Sequence, residues 1–338
     1  MTFEARSASA RFREPVKTAP KTSVRAATTA DYPVLVALNK ASYPDYGETE
    51  EEWRHWDETW DHEKYFKARV VALDGSRVVG FGLVNHMRWA FVPTKYRVDV
   101  TVHPEHRRRG HGTALYEALL DKVRERAGRT VAAAAKESMA DGVRFLTKRG
   151  FHEVKRDWES RLFVKGFDFA RFSTADDRVA KQGIRIVALA DEMPRDTSAL
   201  RKAFELNEEC RMDIPSVDPP TRHTFEEFRR DDIDAPNALL DAFYIAIDKD
   251  GRYLGVSNMF RSLDDRTFLW QGITGVRRDA RGKGIAMALK LRTVRYALDN
   301  GIEHIKTWND VHNKEMLSIN EAMGFAKQPA WISYEKDL

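Results

Sequence analysis

The sequence predicts an α/β protein built from two tandem copies of one domain. The segment VHPEHRRRGHGTAL (102–115) realigns with VRRDARGKGIAMAL (276–289) at an offset of 174 residues. A Gly-Phe pair recurs at the same offset, at 150–151 and at 324–325. The length of 338 residues also suits two domains of ordinary size better than a single core. Two separated landmarks that share one offset indicate an internal duplication.

Composition predicts the boundaries of the two copies. Residues 1–22 are rich in Ser, Ala, Arg and Lys and predict a disordered or loosely packed tail, with an organelle transit peptide as the alternative. The first copy is expected over 23–165 and the second over 184–338. Residues 166–183 hold charged and small residues without a clear hydrophobic period, so this segment is predicted to be a linker.

Each copy repeats one order of elements. A short strand leads into helical sequence at 24–31 and again at 184–191. An Asp-Gly turn between apolar runs then predicts a hairpin, at 74–75 and at 250–251. A further strand, over 96–102 or 268–276, precedes a basic glycine loop that opens a helix. A strand, a helix and a final strand or hairpin complete each copy.

The basic glycine loops are the segments that predict a function. They read Arg107-Arg108-Arg109-Gly110-His111-Gly112 in the first copy and Arg281-Gly282-Lys283-Gly284-Ile285-Ala286 in the second. Glycine lets the backbone turn sharply and approach a ligand closely. Successive N–H groups at a helix N-terminus form an anion-binding concavity, and the basic side chains add charge suited to a diphosphate. No Lys-Ser/Thr pair follows and GxGxxG spacing is missing, which disfavours a Walker A loop and a dinucleotide site.

The pattern R-x-x-G-x-G/A after a strand resembles the signature of the GCN5-related N-acetyltransferase (GNAT) superfamily. Both copies match it, with Arg107, Gly110 and Gly112 in the first and Arg281, Gly284 and Ala286 in the second. The resemblance covers roughly residues 24–338 and extends loosely to tandem members similar to mycothiol synthase. It implies two tandem GNAT-type domains, each a mixed, mostly antiparallel twisted sheet flanked by helices. It also implies acetyl-CoA, or another acyl-CoA, as the cofactor. The loop amides would bind its pyrophosphate, next to the strand ends at Val102 and Val276.

The second copy carries polar residues that the first copy lacks. Its segment 304–325 resembles the family's N-x-x-A-x-x-x-Y-x-x-x-G-F segment, in which an asparagine hydrogen-bonds the pantetheine arm of CoA. The resemblance implies this role for Asn313, with Asn309 close enough to assist, and capping or turn formation is the alternative for both. The first copy has Ala135, Met139 and Leu146 opposite Asn309, Asn313 and Asn320. We therefore expect catalysis in the second copy and a supportive first copy.

The sequence leaves the proton-transfer groups open. The family's tyrosine, often the general acid for the departing thiolate, is replaced by Asn320. Tyr334 on the last strand and Tyr244 on the hairpin are candidates, with core packing and protonation by solvent as alternatives. The family binds the thioester carbonyl at a bulged strand, and Gly272 and Gly275 would permit such a bulge. Candidates for steering a cationic acceptor are the carboxylates of Glu208, Glu209, Asp213 and Asp218, with a solvated acidic face as the alternative.

Bulk composition excludes several classes of protein. The 56 basic and 52 acidic residues give a net charge of +4, too balanced to predict nucleic-acid binding. No apolar run is long enough to predict a membrane span. The single cysteine, Cys210, suits a reducing, cytoplasmic compartment, and no metal site is predicted. The expected function is transfer of an acetyl group to a small-molecule primary amine by a monomer or homodimer. The alternatives are a degenerate acyl-CoA sensor or scaffold and a protein N-acetyltransferase.

Overall fold

The computed structural model describes residues 22–338, so the tail predicted over 1–22 lies outside the described residues except for Thr22. The strands are β1 Ser23–Ala26, β2 Lys67–Asp74, β3 Arg77–Asn85, β4 Lys95–Val102, β5 Thr130–Lys136, β6 His152–Phe163, β7 Arg185–Ala188, β8 Tyr244–Ile247, β9 Tyr253–Arg261, β10 Phe268–Val276, β11 His304–Asp310, β12 Ala326–Lys327 and β13 Trp331–Asp337. The α-helices are α1 Tyr32–Ser42, α2 Glu50–Glu58, α3 His111–Arg124, α4 Ala140–Thr147, α5 Ala175–Ala180, α6 Leu189–Glu192, α7 Ala199–Arg211, α8 Phe225–Phe228, α9 Ile285–Asp299 and α10 Lys314–Met323.

The strands of the described residues join in one continuous 13-stranded sheet. Its order is β1-β2-β3-β4-β5-β13-β6-β11-β10-β9-β8-β7, with β12 paired to β6 outside that path. Only the pairs β4–β5 and β10–β11 are parallel among the described strands. Helices cover both faces, and the fold class predicted from the sequence is confirmed.

The two halves of the chain exchange their last strands. The C-terminal strand β13 lies between β5 and β6 and pairs with both in antiparallel fashion. Strand β6, from the first half, in turn pairs through its residues 157–163 with the whole of β11 from the second half. The sequence repeat therefore does not translate into two separate sheets, and the domain boundaries predicted above remain a prediction.

The hydrophobic cores are shared in the same way. Ile332 and Tyr334 of β13 are buried among side chains of β2, β4, β5 and α3 in the first half. Leu162 of β6 and Val164 just after it belong to the core formed by α9, β10 and β11 in the second half. Because apolar burial supplies most of the stability of a fold, each half depends on residues from the other.

The predicted linker is ordered and lies against the second half. It contains a 3-10 turn, Phe169–Phe172, and the short helix α5. Val179 of α5 is buried in the core beside the N-terminal turn of α9. The linker thereby reaches the glycine loop of the second copy. Within residues 22–338, no helix is long and apolar enough to cross a membrane.

Candidate functional site

The two basic glycine loops have the same backbone structure. Gly110 and Gly284 are the N-caps of α3 and α9, with φ angles of 91° and 86° in the left-handed region. Within the described part of the chain, the amides of residues 108–112 and 282–286 donate to no backbone carbonyl. These free N–H groups lie at the positive end of a helix dipole, which is the arrangement that binds phosphate.

One arginine in each loop fastens it to the preceding strand. Arg107 Nε donates to the Val102 carbonyl oxygen at 3.1 Å, and Arg281 Nε donates to the Val276 carbonyl oxygen at 3.1 Å. The Arg281 guanidinium also pairs with Asp213. The predicted role of these arginines and valines as cofactor contacts stays a prediction. In the structure they fix the angle between the strand and the loop.

The second loop has additional support from the linker. Arg178 Nη2 donates to the carbonyl oxygen of Gly282 at 3.0 Å, and Gln182 Nε2 donates to that of Lys283 at 3.0 Å. With these carbonyls held by α5, the amides of the loop remain available to a ligand. Arg178 also packs on the face of Gly284.

The first loop has a different inward contact. His111 is buried, and its Nδ1 forms a 2.9 Å hydrogen bond with Thr22 Oγ1. Its side chain therefore faces away from the loop surface. Asp74, His106 and His111 could offer ligand atoms within 4.8 Å of one another, and the expectation of no metal site stays a prediction.

A cleft opens between the two parallel strands of each copy. The β10–β11 ladder holds only from Phe268 opposite His304 to Trp270 opposite Lys306, and the β4–β5 ladder likewise ends after three pairs. Beyond these points the strands separate, which leaves main-chain groups on the inner side of each cleft without a ladder partner. Both clefts lead toward the glycine loops, so an extended ligand anchored at the loop could enter them.

Only the second copy has a bulge in the strand that lines this cleft. The β9–β10 register shifts between Gln271 and Thr274, so that one extra residue of β10 is accommodated there. The corresponding β3–β4 register runs without a shift from Gly80 opposite Val102 to Asn85 opposite Arg97. A bulge turns backbone N–H groups out of the ladder, where they can accept a developing oxyanion.

The two glycines at the bulge are required by close packing. A Cβ on Gly272 would lie 2.4 Å from Asn258 Oδ1, and a Cβ on Gly275 would lie 2.5 Å from the Cβ of Cys210. Asn258 is 1% exposed, and its Oδ1 has no hydrogen-bond partner among the described residues. The side-chain oxygen of Asn258 therefore lies beside the bulge without a hydrogen-bond partner among the described residues.

The asparagines of the second copy occupy different positions. Asn320 is buried on α10, and its Nδ2 donates to Asn309 Oδ1 on β11 at 2.7 Å. Asn313 is the N-cap of α10, with its Oδ1 accepting from the Met316 amide at 3.2 Å. Asn309 and Asn320 therefore border the β10–β11 cleft as a pair. Asn313 performs the capping role that the sequence left as the alternative, and its contact with CoA stays a prediction.

The two tyrosines proposed as proton donors lie away from the bulge. Tyr334 is buried between β5 and β6 in the core of the first half. Tyr244 pairs with Ser257, which in turn pairs with Thr274, so it is two strands away from β10. Burial raises the pKa of Tyr244 to about 12. Packing is the role that the structure shows for both.

A cavity of about 700 Å³ lies on the face of the sheet that carries α1 and α2. The first half contributes Tyr43, Tyr46, Glu48, Trp53, Trp56, Arg97, Asp99 and Thr101, and the second half contributes Asn237, Phe260, Trp270, Trp308 and Trp331. Tyr46 stacks on Trp270 and Trp308 with ring centroids 6.1 and 6.4 Å away. The cavity is therefore lined by both halves and reaches the start of the β10–β11 cleft.

Most carboxylates near α7 are held in ion pairs. Glu208 pairs with Arg211, Glu209 with Arg277, Asp213 with Arg278 and Arg281, and Asp218 with Lys95. Asp232, in the π-helical turn Arg229–Ile233, forms no ion pair or side-chain hydrogen bond with the described residues. Burial, together with the charge of neighbouring Asp231, raises the pKa of Asp232 to about 7. This carboxyl group is poised to gain or lose a proton near neutral pH.

Sequence reasoning had missed several of these residues. Asn258 and Asn237 sit in strand and loop segments with no motif, and only the glycines at 272 and 275 signalled close packing nearby. Asp232 lies in the acidic run DDID, which resembles any solvated acidic face. Nothing in the local pattern distinguishes it from Asp231.

The loops, clefts and sheet order define an acyl-CoA-binding transferase fold. The chain belongs to the acetyltransferase (GNAT) family, which matches residues 32–151 and 202–325. Membership in this family assigns N-acetyltransferase activity and supports the general use of acyl-CoA. A cytoplasmic location and a monomeric or homodimeric state remain predictions.

The chain is similar to acetyltransferases in sequence and in structure. The mycothiol acetyltransferase of Saccharomonospora viridis is 24% identical over 250 residues, covering 70% of this chain and 72% of the relative. That of Nocardiopsis dassonvillei is 26% identical over 286 residues, covering 78% and 80%. A tandem GNAT protein from the clavulanic acid biosynthesis pathway has a TM-score of 0.67 at 17% identity, covering 94% of this chain and 98% of that one. A GCN5-related N-acetyltransferase from Sphaerobacter thermophilus has a TM-score of 0.66 at 20% identity, covering 94% and 95%. These structures share the fold.

Proposed function

We propose that the chain transfers an acyl group, in the first instance acetyl, from acyl-CoA to a small-molecule primary amine, and that the second copy catalyses this reaction. The observation that carries the proposal is the bulge between Gln271 and Thr274, which only the second copy has in this strand. The bulge lies on β10, which leads into the glycine loop of residues 281–286 and borders the β10–β11 cleft. The same strand thus offers a phosphate site at one end and an oxyanion site in its middle.

The cofactor would run along β10. Its diphosphate would accept hydrogen bonds from the amides of residues 282–286. The pantetheine arm would lie in the cleft bordered by Asn309 and Asn320. The thioester carbonyl would then receive an N–H group from the bulge. Such donors stabilise the negative charge that develops on the carbonyl oxygen as the amine attacks.

The cavity between the two halves suits a small acceptor. A volume of about 700 Å³ falls within the range for small-molecule sites. Its walls combine tryptophans with carboxylates such as Glu48, and at its second-half end the buried Asn237 Oδ1 has no partner among the described residues. Aromatic faces and unpaired oxygens both favour a protonated or hydrogen-bonding amine.

Asp232 is our candidate for the base that takes the proton from the amine, acting through water. It lies beside Glu208 and Arg211 at the end of α7, the helix whose Cys210 contacts the bulge glycine. Because its raised pKa keeps Asp232 protonated below about 7, we expect kcat/KM to fall as the pH drops through that value. Asp232→Asn should lower kcat by about 10²-fold or more and remove this pH dependence.

Asp231→Asn is the matched control for this prediction. Asp231 is the adjacent carboxylate, but it is ion-paired with Arg88 and Arg230. Its replacement should keep the fall in kcat/KM but move it to lower pH, because the charge of Asp231 contributes to the raised pKa of Asp232. A folded Asp232→Asn protein that keeps the wild-type pH profile would remove Asp232 from the mechanism.

The alternative function is an acyl-CoA sensor or scaffold, which the missing family tyrosine at position 320 favours. A thiol-release assay with acetyl-CoA and a panel of small primary amines distinguishes the transferase from the sensor. We expect amine-dependent release of free CoA with at least one member of the panel. Tight CoA binding without turnover for every amine would instead support the sensor.

A further inference from the structure

Three metal-binding side chains meet next to the glycine loop of the first copy. Asp74 ends β2, His106 lies in the 3-10 turn Pro104–His106, and His111 is the first residue of α3. Each offers one ligand atom, and these three atoms lie within 4.8 Å of one another. Two imidazoles and one carboxylate form a ligand set that zinc uses in sites with three protein ligands.

Two ring nitrogens of this cluster are buried without a partner among the described residues. His106 Nδ1 lies 3.6 Å from Asp74 Oδ2, which is too long for a hydrogen bond. His111 is 1% exposed, and its Nε2 likewise has no partner. Buried polar atoms are nearly always satisfied in folded proteins, so an ion or a water molecule is needed at these nitrogens.

The other nitrogen of His111 is held from outside the cluster. His111 Nδ1 forms a 2.9 Å hydrogen bond with Thr22 Oγ1 at the start of the described chain. When Nδ1 carries the proton, Nε2 keeps the lone pair that a metal needs, and outer hydrogen bonds of this kind orient metal-binding histidines. Burial lowers the pKa of His111, which favours the neutral imidazole that metals bind.

The second copy shows that the fold does not require the two histidines. Ala280 stands at the position of His106, 174 residues further along the chain, and Ile285 stands at that of His111. Both are 1% exposed and belong to one apolar core. The first copy therefore places two imidazoles where apolar packing alone is sufficient.

The aspartate of the cluster also differs from its equivalent. Asp248 stands at the position of Asp74 in the second copy, and its Oδ1 accepts hydrogen bonds from two amides of its own hairpin turn. Among the described residues, the Asp74 carboxylate has His106 as its one ion-pairing neighbour. Asp74 is thus free to bind an ion together with the histidines.

We propose that Asp74, His106 and His111 bind a zinc ion, with water completing its coordination. Zinc ligands lie about 2 Å from the ion, so small side-chain rotations would bring the three atoms together. Imidazole favours zinc over magnesium and calcium, which prefer oxygen ligands. The carboxylate supplies negative charge at the positive end of α3, where a cation alone would be disfavoured.

The ion would connect three segments that are separate in the chain. It would tie the end of β2 and the turn after β4 to the first turn of α3, and so fix the first glycine loop relative to its strand. The sequence predicted no metal site because Asp74 is far from the histidines in the chain. Both histidines also fall in a run of basic residues that indicates an anion site instead.

Calorimetry and cobalt absorbance test the zinc site in the full chain, freed of metal by a chelator. We expect wild type to bind a single zinc ion, and Co²⁺ in its place to give the strong visible absorption of a four-coordinate site. His106→Ala and His111→Ile should each remove both signals. Each substitution introduces the residue that the second copy carries at that position, so both variants should fold.

His152→Ala is the matched control. His152 is an exposed histidine at the start of β6, outside the cluster, and its replacement should leave zinc binding unchanged. Thr22→Val removes only the hydrogen bond to His111 Nδ1 and should weaken zinc binding by about tenfold. Failure of wild type to bind zinc, or zinc affinity that both cluster variants retain, would overturn the proposal.

Thermal unfolding gives a second measurement. Zinc should raise the Tm of wild type, because an ion that binds only the folded chain stabilises it. The same addition should leave the Tm of His106→Ala and His111→Ile unchanged. An equal rise in all three proteins would mean that zinc binds elsewhere, and would contradict the proposed site. None of these measurements uses acetyl-CoA, so their outcome is independent of the proposed function.

Discussion

Replacing Gly284 with valine is expected to abolish turnover. Gly284 has a φ of 86°, a region that a β-branched residue enters only at a cost of about 1–2 kcal/mol or more. A valine would also press on the Arg178 side chain, which lies 3.3 Å from the position of a Cβ. The loop would have to change its backbone, and its amides would no longer converge on a phosphate. We expect acetyl-CoA binding by the second copy and kcat to be lost together in calorimetry and thiol-release assays.

Two further valine variants make this result specific. Gly110→Val introduces the same strain in the first-copy loop, where φ is 91°, and should reduce turnover far less. Gly301→Val introduces it at φ 69° just beyond the C-terminal end of α9, at the opposite end of that helix from the glycine loop, and reports the effect of strain on stability alone. Equal loss of turnover from Gly284→Val and Gly110→Val would contradict the assignment of catalysis to the second copy.

A substitution near the C-terminus is expected to destabilise the N-terminal half of the molecule. Ile332 of β13 is 4% exposed and lies in the core of the first half. Ile332→Ala should therefore lower the free energy of unfolding by about 2–5 kcal/mol. Because β13 pairs with β5, hydrogen exchange should accelerate at the β5 amides of residues 130–136.

Ile305→Ala is the control for this prediction. Ile305 is fully buried on β11 within the core of the second half. Since each half supplies a strand to the other, both variants should shift a single cooperative unfolding transition. Two separate transitions, with Ile332→Ala moving only the one that belongs to the second half, would show that the halves unfold independently.

The glycine loops could be predicted because their chemistry is local. The turn, the basic side chains and the start of the helix all fall within six residues, and the duplication shows this pattern twice. The bulge was also within reach, since Gly272 and Gly275 mark where side chains press on the strand. Both features are set by short segments, in which the identity of each residue indicates the backbone conformation it permits.

The strand exchange and the burial of Lys290 on α9 could not be predicted in this way. The side-chain alternation of β6 and β13 satisfies either choice of partner, because pairing across the sheet is decided between segments far apart in the chain. Lys290 occupies one position of an otherwise regular helix, and a lysine there usually extends into solvent. Only the packing of Phe325 and the neighbouring helix shows that it does not.

The exchanged strands give the molecule the connectivity of a domain-swapped dimer whose two subunits have become one polypeptide. In such a dimer an element is traded between identical chains, and here the exchange gives β5 and β11 a second partner strand. A single-copy ancestor could have formed the same sheet from two chains before gene fusion. Proteolytic cleavage between residues 166 and 183 would then leave two fragments that stay associated, each completed by a strand of the other.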